Sequence, residues 1–343
     1  KDHWLDISPA GPAILAKEGK YEIKAKGKIP SPTSKEGDEL VRGAEMDVDL
    51  EIKNGDLSII KFLSWVDDAE GKIDANLKIK GTKQFPSISG KINITDGSAS
   101  FKYLFKDIKR IFANILIKDN IIDIYNLKGD CGKGTIKISN LNEKKGGTLK
   151  DYKIYETNWK ITNIGDRIKV SDTKYMEFLD GDADINLEMT GLMESPLIKG
   201  DIKLYNTKYT YPTKIKGESG DEVKEMKYNY AKQINWDVNV YCKENFMYYS
   251  SYGNNYAEVY IKPTDLPIIF KGKGNDLQIT GNASIQRGGF KYMNTDFSFD
   301  EMRESKVVFD GDRRPILDIY AKSKLRKIAL KEFNEEKDID IYL

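Results

Sequence analysis

Apolar and polar residues alternate with a period of two along most of this chain. The run Ile73-Asp74-Ala75-Asn76-Leu77-Lys78-Ile79-Lys80 puts Ile, Ala, Leu and Ile on one side of an extended backbone. Asp, Asn and two Lys take the other side. Ala183, Ile185, Leu187 and Met189 alternate in the same way with Asp184, Asn186, Glu188 and Thr190. Trp236, Val238 and Val240 alternate with Asp237, Asn239 and Tyr241. Successive side chains of a strand point to opposite faces, so these runs specify sheet with one apolar and one polar face. Gly, Asn and Asp between the runs predict hairpin turns at Asn54-Gly55, Asp96-Gly97, Asp119-Asn120, Gly146-Gly147, Gly253-Asn254 and Asp310-Gly311. Helical spacing is scarce. Leu104, Phe105, Ile108, Ile111, Phe112 and Ile115 recur near the helical period and predict one amphipathic helix. Short helical turns are expected at 62–66 and 175–179, and a weaker helix at 324–336.

The alternation is organised into repeats. Ile88-Ser89-Gly90-Lys91-Ile92-Asn93-Ile94 leads to Gly97, Ala99 and Phe101. Ile198-Lys199-Gly200-Asp201-Ile202-Lys203-Leu204 leads to Thr207, Tyr209 and Tyr211. Ile279-Thr280-Gly281-Asn282-Ala283-Ser284-Ile285 leads to Gly288, Phe290 and Tyr292. Each copy has apolar residues two and four after its recurring Gly, and each flips parity seven residues after it. A flip of parity requires a bulge or a turn, so the chain is expected to change faces near Gly97, Thr207 and Gly288. The first two copies also agree upstream. Gly71 to Gly81 and Gly181 to Gly191 each span ten residues, each second Gly stands five before a Pro, and the offset is 110 throughout. The third copy keeps the alternation Ala257, Val259, Ile261 and gains residues around 262–275.

Composition excludes several function classes. Among 343 residues, 55 Lys and Arg balance 54 Asp and Glu, leaving a net charge of +1 and no global pull toward nucleic acid. The one histidine is His3, which removes most His-based triads and His-rich metal sites, and Cys131 and Cys242 stand 111 residues apart, so no CxxC pair or zinc knuckle exists. Gly132-Lys133-Gly134 and Gly272-Lys273-Gly274 lack the spacing of a phosphate loop. Asp67-Asp68 and Glu335-Glu336 read as charged turns, and Arg313-Arg314 as a solvated turn. The chain is expected to have no catalytic centre, to bind no metal and to need no cofactor. Phe246-Met247-Tyr248-Tyr249, with Tyr252 and Tyr256, lacks an accompanying basic stripe, and is expected in core and cross-strand packing. The two cysteines read either as a pair formed in an oxidising compartment or as buried thiols on strands. Apolar clusters such as 115–117 and 267–270 fall far short of the roughly 18–20 residues a membrane helix needs. The opening Lys1-Asp2-His3-Trp4 has neither an initiator Met nor the apolar core of a signal peptide. It reads as part of a longer protein whose targeting and anchoring segments lie elsewhere.

The order Gly71 to Gly81, Pro86-Ser87-Ile88-Ser89-Gly90, then Ile92 to Gly97, resembles the repeating unit of the TamB and AsmA-like family. Gly288-Gly289-Phe290-Lys291-Tyr292, Val307-Val308-Phe309-Asp310-Gly311 and Pro315 to Ala321 resemble that family's C-terminal region. The resemblance covers roughly 45–343. It implies an all-β fold: an elongated, curved, mostly antiparallel sheet forming an open half-pipe, or β-taco, with an apolar interior. The expected organisation is an irregular or β segment at 1–44, then a repetitive groove region at 45–343. Its repeat units span about 71–103, 181–211 and 257–292, and a TamB-like C-terminal part spans 293–343. The resemblance further implies a periplasmic, bridge-like carrier of phospholipids between inner and outer membranes. The inner-membrane anchor would lie outside this chain, and TamA or another outer-membrane barrel is the implied partner.

The amphipathic strands fit that mechanism and fit an ordinary β-sandwich core equally well. The expected groove lining is Ala75, Leu77, Ile79, Ile88, Ile92, Ile94, Ile185, Leu187, Met189, Ile198, Ile202, Leu204, Ile279, Ala283 and Ile285. Strands ~4.8 Å apart, at about 15 residues each with their turns, would give a sheet on the order of 100 Å long. The alternative function is assembly of outer-membrane proteins or autotransporters on strand edges beside a TamA-type barrel. A glycan-active β-protein would need paired carboxylates in a cleft, and the sequence places none.

Overall fold

A computed structural model describes residues 4–6, 13–17, 21–30, 45–62, 66–101, 107–142, 145–171, 176–215, 233–292, 294–312, 315–330 and 335–342. Nearly all of these are strand, paired mostly antiparallel in sequential neighbours. The exceptions are two short 3₁₀ segments, Leu57–Phe62 and Gly274–Asp276, and no α-helix occurs among the described residues. Among the described residues no helix is long and apolar enough to cross a membrane. The chain forms two units: Lys1–Ile168 with Asn186–Ile198, and Lys169–Ile185 with Lys199–Leu343.

In the first unit, β1 (Trp4–Asp6) and β2 (Ala13–Lys17) both pair with β3 (Tyr21–Pro30). A meander follows through β4 (Glu45–Asp56), β5 (Val66–Thr82), β6 (Pro86–Phe101), β7 (Ile108–Lys118), β8 (Ile121–Cys131) and β9 (Gly134–Asn140). The short β10 (Gly147–Lys150) pairs with β8 and with β11 (Lys153–Ile164), which also pairs with β9. Then come β12 (Ile168–Ser171) and β13 (Met176–Leu192), of which residues 169–185 belong to the second unit and the 186–192 stretch, in the first, pairs with β11. The apolar positions line up across the strands: Leu50, Leu77, Gly90 and Ile117 form one row, and Ile52, Ala75, Ile92 and Ile115 the next. Lys78 stands on the opposite face, where its ammonium lies 3.5 Å from Asp47 and 3.3 Å from Asp49.

This sheet curls about its apolar face. Met46 shares that face with Val48 and is buried. The Tyr152 hydroxyl, in the β10–β11 turn, lies 3.7 Å from the Met46 sulfur. Five strand-to-strand steps separate β4 from β10, so a flat sheet would hold the two roughly 24 Å apart. Their contact makes the apolar face the concave one. Over part of it lies Leu57–Phe62, whose fully buried Leu57 joins Val66, Ala69, Ala99 and Ile111 in a core, with Ile73 and Ile94 packed against it.

The second unit continues through β14 (Leu197–Ile215), β15 (Asn235–Glu244), β16 (Phe246–Tyr252), β17 (Asn255–Ile261), β18 (Ile268–Lys273) and β19 (Gln278–Tyr292). It ends with β20 (Thr295–Phe299), β21 (Lys306–Asp310), β22 (Ile316–Asp318), β23 (Ala321–Leu330) and β24 (Glu335–Tyr342). β14 runs parallel to β16 over Lys208–Tyr211. The central β19 has two sets of neighbours: its first half pairs with β18 and β21, its second with β17 and β20.

The parity flips of the repeats lie inside continuous strands, as bulges rather than as breaks. In β6 the register slips on either side of Gly97, and the left-handed residue is Asp96 (φ 51), one before the glycine. In β14 the matching Asn206 has φ 47, and Thr207 is buried against Gly181. In β19 the slip leaves Gln286 unpaired, since Tyr260 opposes Arg287 and Ile261 opposes Ile285. The recurring Gly ahead of each flip has its own cause. Gly90, Gly200 and Gly281 have φ between 130 and 147, and a Cβ at Gly90 would stand 2.0 Å from the Asn76 carbonyl oxygen.

Several expectations are corrected. Ile108 to Ile115 is not helical but belongs to β7, and Leu104 and Phe105 lie outside the described residues. A bulge at Arg110 (φ 49) adds one residue to the strand period, so Ile108 and Ile111 stand three apart on one face and imitate helical spacing. The expected helix at 324–336 is the β23–β24 hairpin, where Leu330 opposes Glu335. The described part of 175–179 is strand, and of the described residues of 62–66, Phe62 ends a 3₁₀ segment and Val66 starts β5, while 63–65 lie outside the described residues. Asn54-Gly55 and Asp96-Gly97 are bulges within strands, and Gly147 opens β10, whereas Asp119-Asn120 and Gly253-Asn254 are hairpin turns. Asp310-Gly311 is a bend after β21. The described residues of segment 1–44 form three strands, the β alternative of the two expected there. Arg313 and Arg314 lie outside the described residues.

Candidate functional site

The second unit holds a partly open apolar cavity of about 1050 Å³. Its wall follows from strand parity. On β19, Ile279, Ala283 and Ile285 face the cavity before the bulge, and Phe290 and Tyr292 face it after. Without the extra residue, the second pair would point outward. The same alternation on β17 brings in Ala257, Val259 and Ile261, and on β16 Phe246, Tyr248, Ser250 and Tyr252. Val240 and Cys242 of β15, Ile268 and Phe270 of β18, and Val307 and Phe309 of β21 complete much of the wall.

Aromatic pairs stiffen it. The Tyr209 and Tyr248 rings stack at 6.0 Å, and Phe290 stacks on Phe297 at 5.1 Å. Such pairs contribute about 0.5–1.5 kcal/mol beyond their buried area. Burial, with the neighbouring tyrosines second, raises the pKa of the Tyr209 phenol. Cys242 is 5% exposed, and burial pushes its thiol up to about 11, so it stays a protonated, apolar wall group. Cys131 is buried in the first unit.

Charge is kept on the outer surface of these strands. The Arg287 guanidinium covers the Tyr260 ring at 4.5 Å, Lys243 pairs with Asp265, and Ser284 donates to Glu304 at 2.8 Å. Among the wall residues Lys291 alone carries a charge. No group of three or more His, Cys, Asp or Glu able to hold a metal is found among the described residues.

The residues expected to line a groove fall in different places. Leu204, Ile279, Ala283 and Ile285 meet at the cavity. Ala75, Leu77, Ile79, Ile88 and Ile92 lie on the concave face of the first unit, Ala75 and Ile88 buried and the others half-buried, while Ile94 packs against the Leu57 core. Leu187 and Met189 oppose Ile161 and Trp159 in that same unit. Ile185 is buried and Ile198 and Ile202 half-buried, outside the cavity wall. The aromatic wall was the part not anticipated: Phe246, Tyr248 and Tyr252, read from sequence as ordinary packing, face the cavity. Their alternate spacing, together with that of Phe290 and Tyr292, was the available signal.

Over 168 residues, 48% of this chain, the sequence is 24% identical to Protein TIC236, chloroplastic, of Arabidopsis thaliana. The chain spans 7% of that relative's length. No protein-family model and no solved structure matches the chain. Together with the all-β fold, the similarity supports a distant relation to the TamB and AsmA-like group, short of assignment to one family within it.

Proposed function

We propose that this chain is a non-enzymatic segment of a lipid conduit, carrying phospholipid acyl chains on the apolar faces of its curled sheets. The observation that carries the reading is the cavity of about 1050 Å³ whose wall has one charged residue. That size lies at the upper end of ligand pockets, roughly 300–1,000 Å³. A hydrocarbon tail leaving water gains about 0.8 kcal/mol per CH₂, so ten buried methylenes gain roughly 8 kcal/mol with no polar contact. Such a wall holds tails without fixing them, which suits passage. The concave apolar face of the first unit supports the same use, and the distant relation to the TamB and AsmA-like group agrees with it. In this reading the protein works in the periplasm between two membranes, anchored by a segment outside this chain and delivering to an outer-membrane partner. Mass spectrometry of organic extracts from the purified protein tests it. Co-purifying phospholipid is expected, and a protein that remains lipid-free after incubation with phospholipid micelles refutes it.

A further inference from the structure

The two ends of the cavity differ chemically. β19 runs its length, from Ile279 to Tyr292. At the Ile279 end the neighbouring wall residues are Phe270, opposite Ile279, with Ile268 and Val240 beyond, and Phe309 and Leu317 from β21 and β22. None of these carries a hydrogen-bonding side chain. At the Tyr292 end lie the tips of two hairpins, β16–β17 and β19–β20, brought side by side because Tyr256 opposes Lys291. Here the inward positions change character. Along β16 the inward residues run Phe246, Tyr248, Ser250, Tyr252, and along β17 they run Ile261, Val259, Ala257, Asn255. On β19 Phe290 gives way to Tyr292. Tyr252 is 78% and Tyr292 55% exposed, so their hydroxyls reach water while their rings join the wall.

From this gradient we infer that the tyrosine end is a head-group rim: lipid lies in the cavity with its polar head at Tyr252, Asn255 and Tyr292 and its tails toward Ile279. This deepens the conduit reading and rests on it. The chemistry recognised is the phosphate and glycerol-ester oxygens common to phospholipids. Tyr hydroxyls and the Asn255 amide donate to those oxygens, and Lys291, the one charged wall residue, stands at this end opposite Tyr256. Tyrosine suits the boundary, since its ring is apolar and its hydroxyl polar. A head placed at the opposite end would meet only Ile, Val, Phe and Leu side chains, leaving its oxygens without side-chain donors there.

Two photoactivatable phosphatidylethanolamines test the orientation, one with a diazirine on the head-group amine and one at the acyl terminus. Each is loaded into the purified full chain, irradiated, and the cross-linked peptides are mapped. The head-group probe is expected to mark 250–256 and 292–296, and the tail probe 268–279 and 307–309. The variant Tyr252→Phe/Asn255→Leu/Tyr292→Phe keeps the rings and the fold, checked by circular dichroism. It should lose about tenfold in head-group labelling of these peptides and keep its tail labelling. Tail labelling in the cavity with head-group labelling scattered, or concentrated near Phe309, overturns the rim and leaves the conduit standing. Absence of cavity labelling by both probes overturns the conduit reading and the rim with it.

Discussion

Ile285→Asp separates a lipid-holding cavity from a closed core. Ile285 is half-buried and faces the cavity from the middle of β19, beside the bulge. Full burial of an Ile side chain is worth about 1.5–3 kcal/mol, so removing a half-buried one costs the fold about 1–2 kcal/mol. The carboxylate adds little more in the lipid-free protein, because a cavity this wide admits water. With lipid loaded the same group meets hydrocarbon, where an Asp costs roughly 2.5–3.5 kcal/mol. Lipid affinity should therefore fall roughly 60- to 300-fold, a factor of ten for each 1.4 kcal/mol. The control is Lys271→Glu, an exposed position on the outward side of β18, adjacent to the cavity-facing Phe270. The assay is thermal melting by circular dichroism, alongside lipid counted by mass spectrometry after loading. Folded Ile285→Asp protein without lipid, beside a fully loaded control, is the expected result. A variant that unfolds outright refutes the open-cavity reasoning, and one that keeps its lipid refutes the place of Ile285 in the wall.

Gly90→Ala should destabilise the β5–β6 pair by more than about 2 kcal/mol, because φ is 147 and the new Cβ meets the Asn76 carbonyl oxygen. Hydrogen exchange of β5 and β6 amides reads it, and wild-type protection would count against the argument. Leu57→Ala should cost about 2–5 kcal/mol, since Leu57 is 0% exposed in its core. The exchange should rise in 66–69 and 108–111, and unchanged protection there would remove Leu57 from its supporting role. Asp130 accepts from Thr135 at 2.8 Å and from Arg110, and these bonds hold its pKa below the ordinary 3.8. A depressed folded pKa stabilises the fold above the unfolded value and is lost as pH falls through the folded one. Protection of β8 and β9 should thus drop as pH is lowered below about 4, and Asp130→Asn should abolish that dependence. An Asp130→Asn protein with the wild-type acid profile would show that another group sets it.

The strands were legible because alternation reports a local fact: each residue of an extended backbone faces opposite to its neighbour. Ile73 to Lys80 could be placed with no knowledge of any partner. The recurring Gly and the parity flip were legible too, although the left-handed conformation falls on Asp96 and Asn206, one residue before the expected position. The misreading of Ile108 to Ile115 shows the limit. A bulge and a helical turn both put apolar residues three apart, and only the pairing of β7 with β6 and β8 distinguishes them. What lies in front of an apolar face is decided by the tertiary structure alone. Ile94 and Ile285 occupy like positions in their repeats, six after the leading Ile. Yet Ile94 packs against the Leu57 core, while Ile285 faces a cavity. Alternation fixes which side of the sheet a residue takes. Curvature, neighbouring strands and distant segments such as Leu57–Phe62 determine whether that side meets protein or space, because those contacts join residues far apart in the chain.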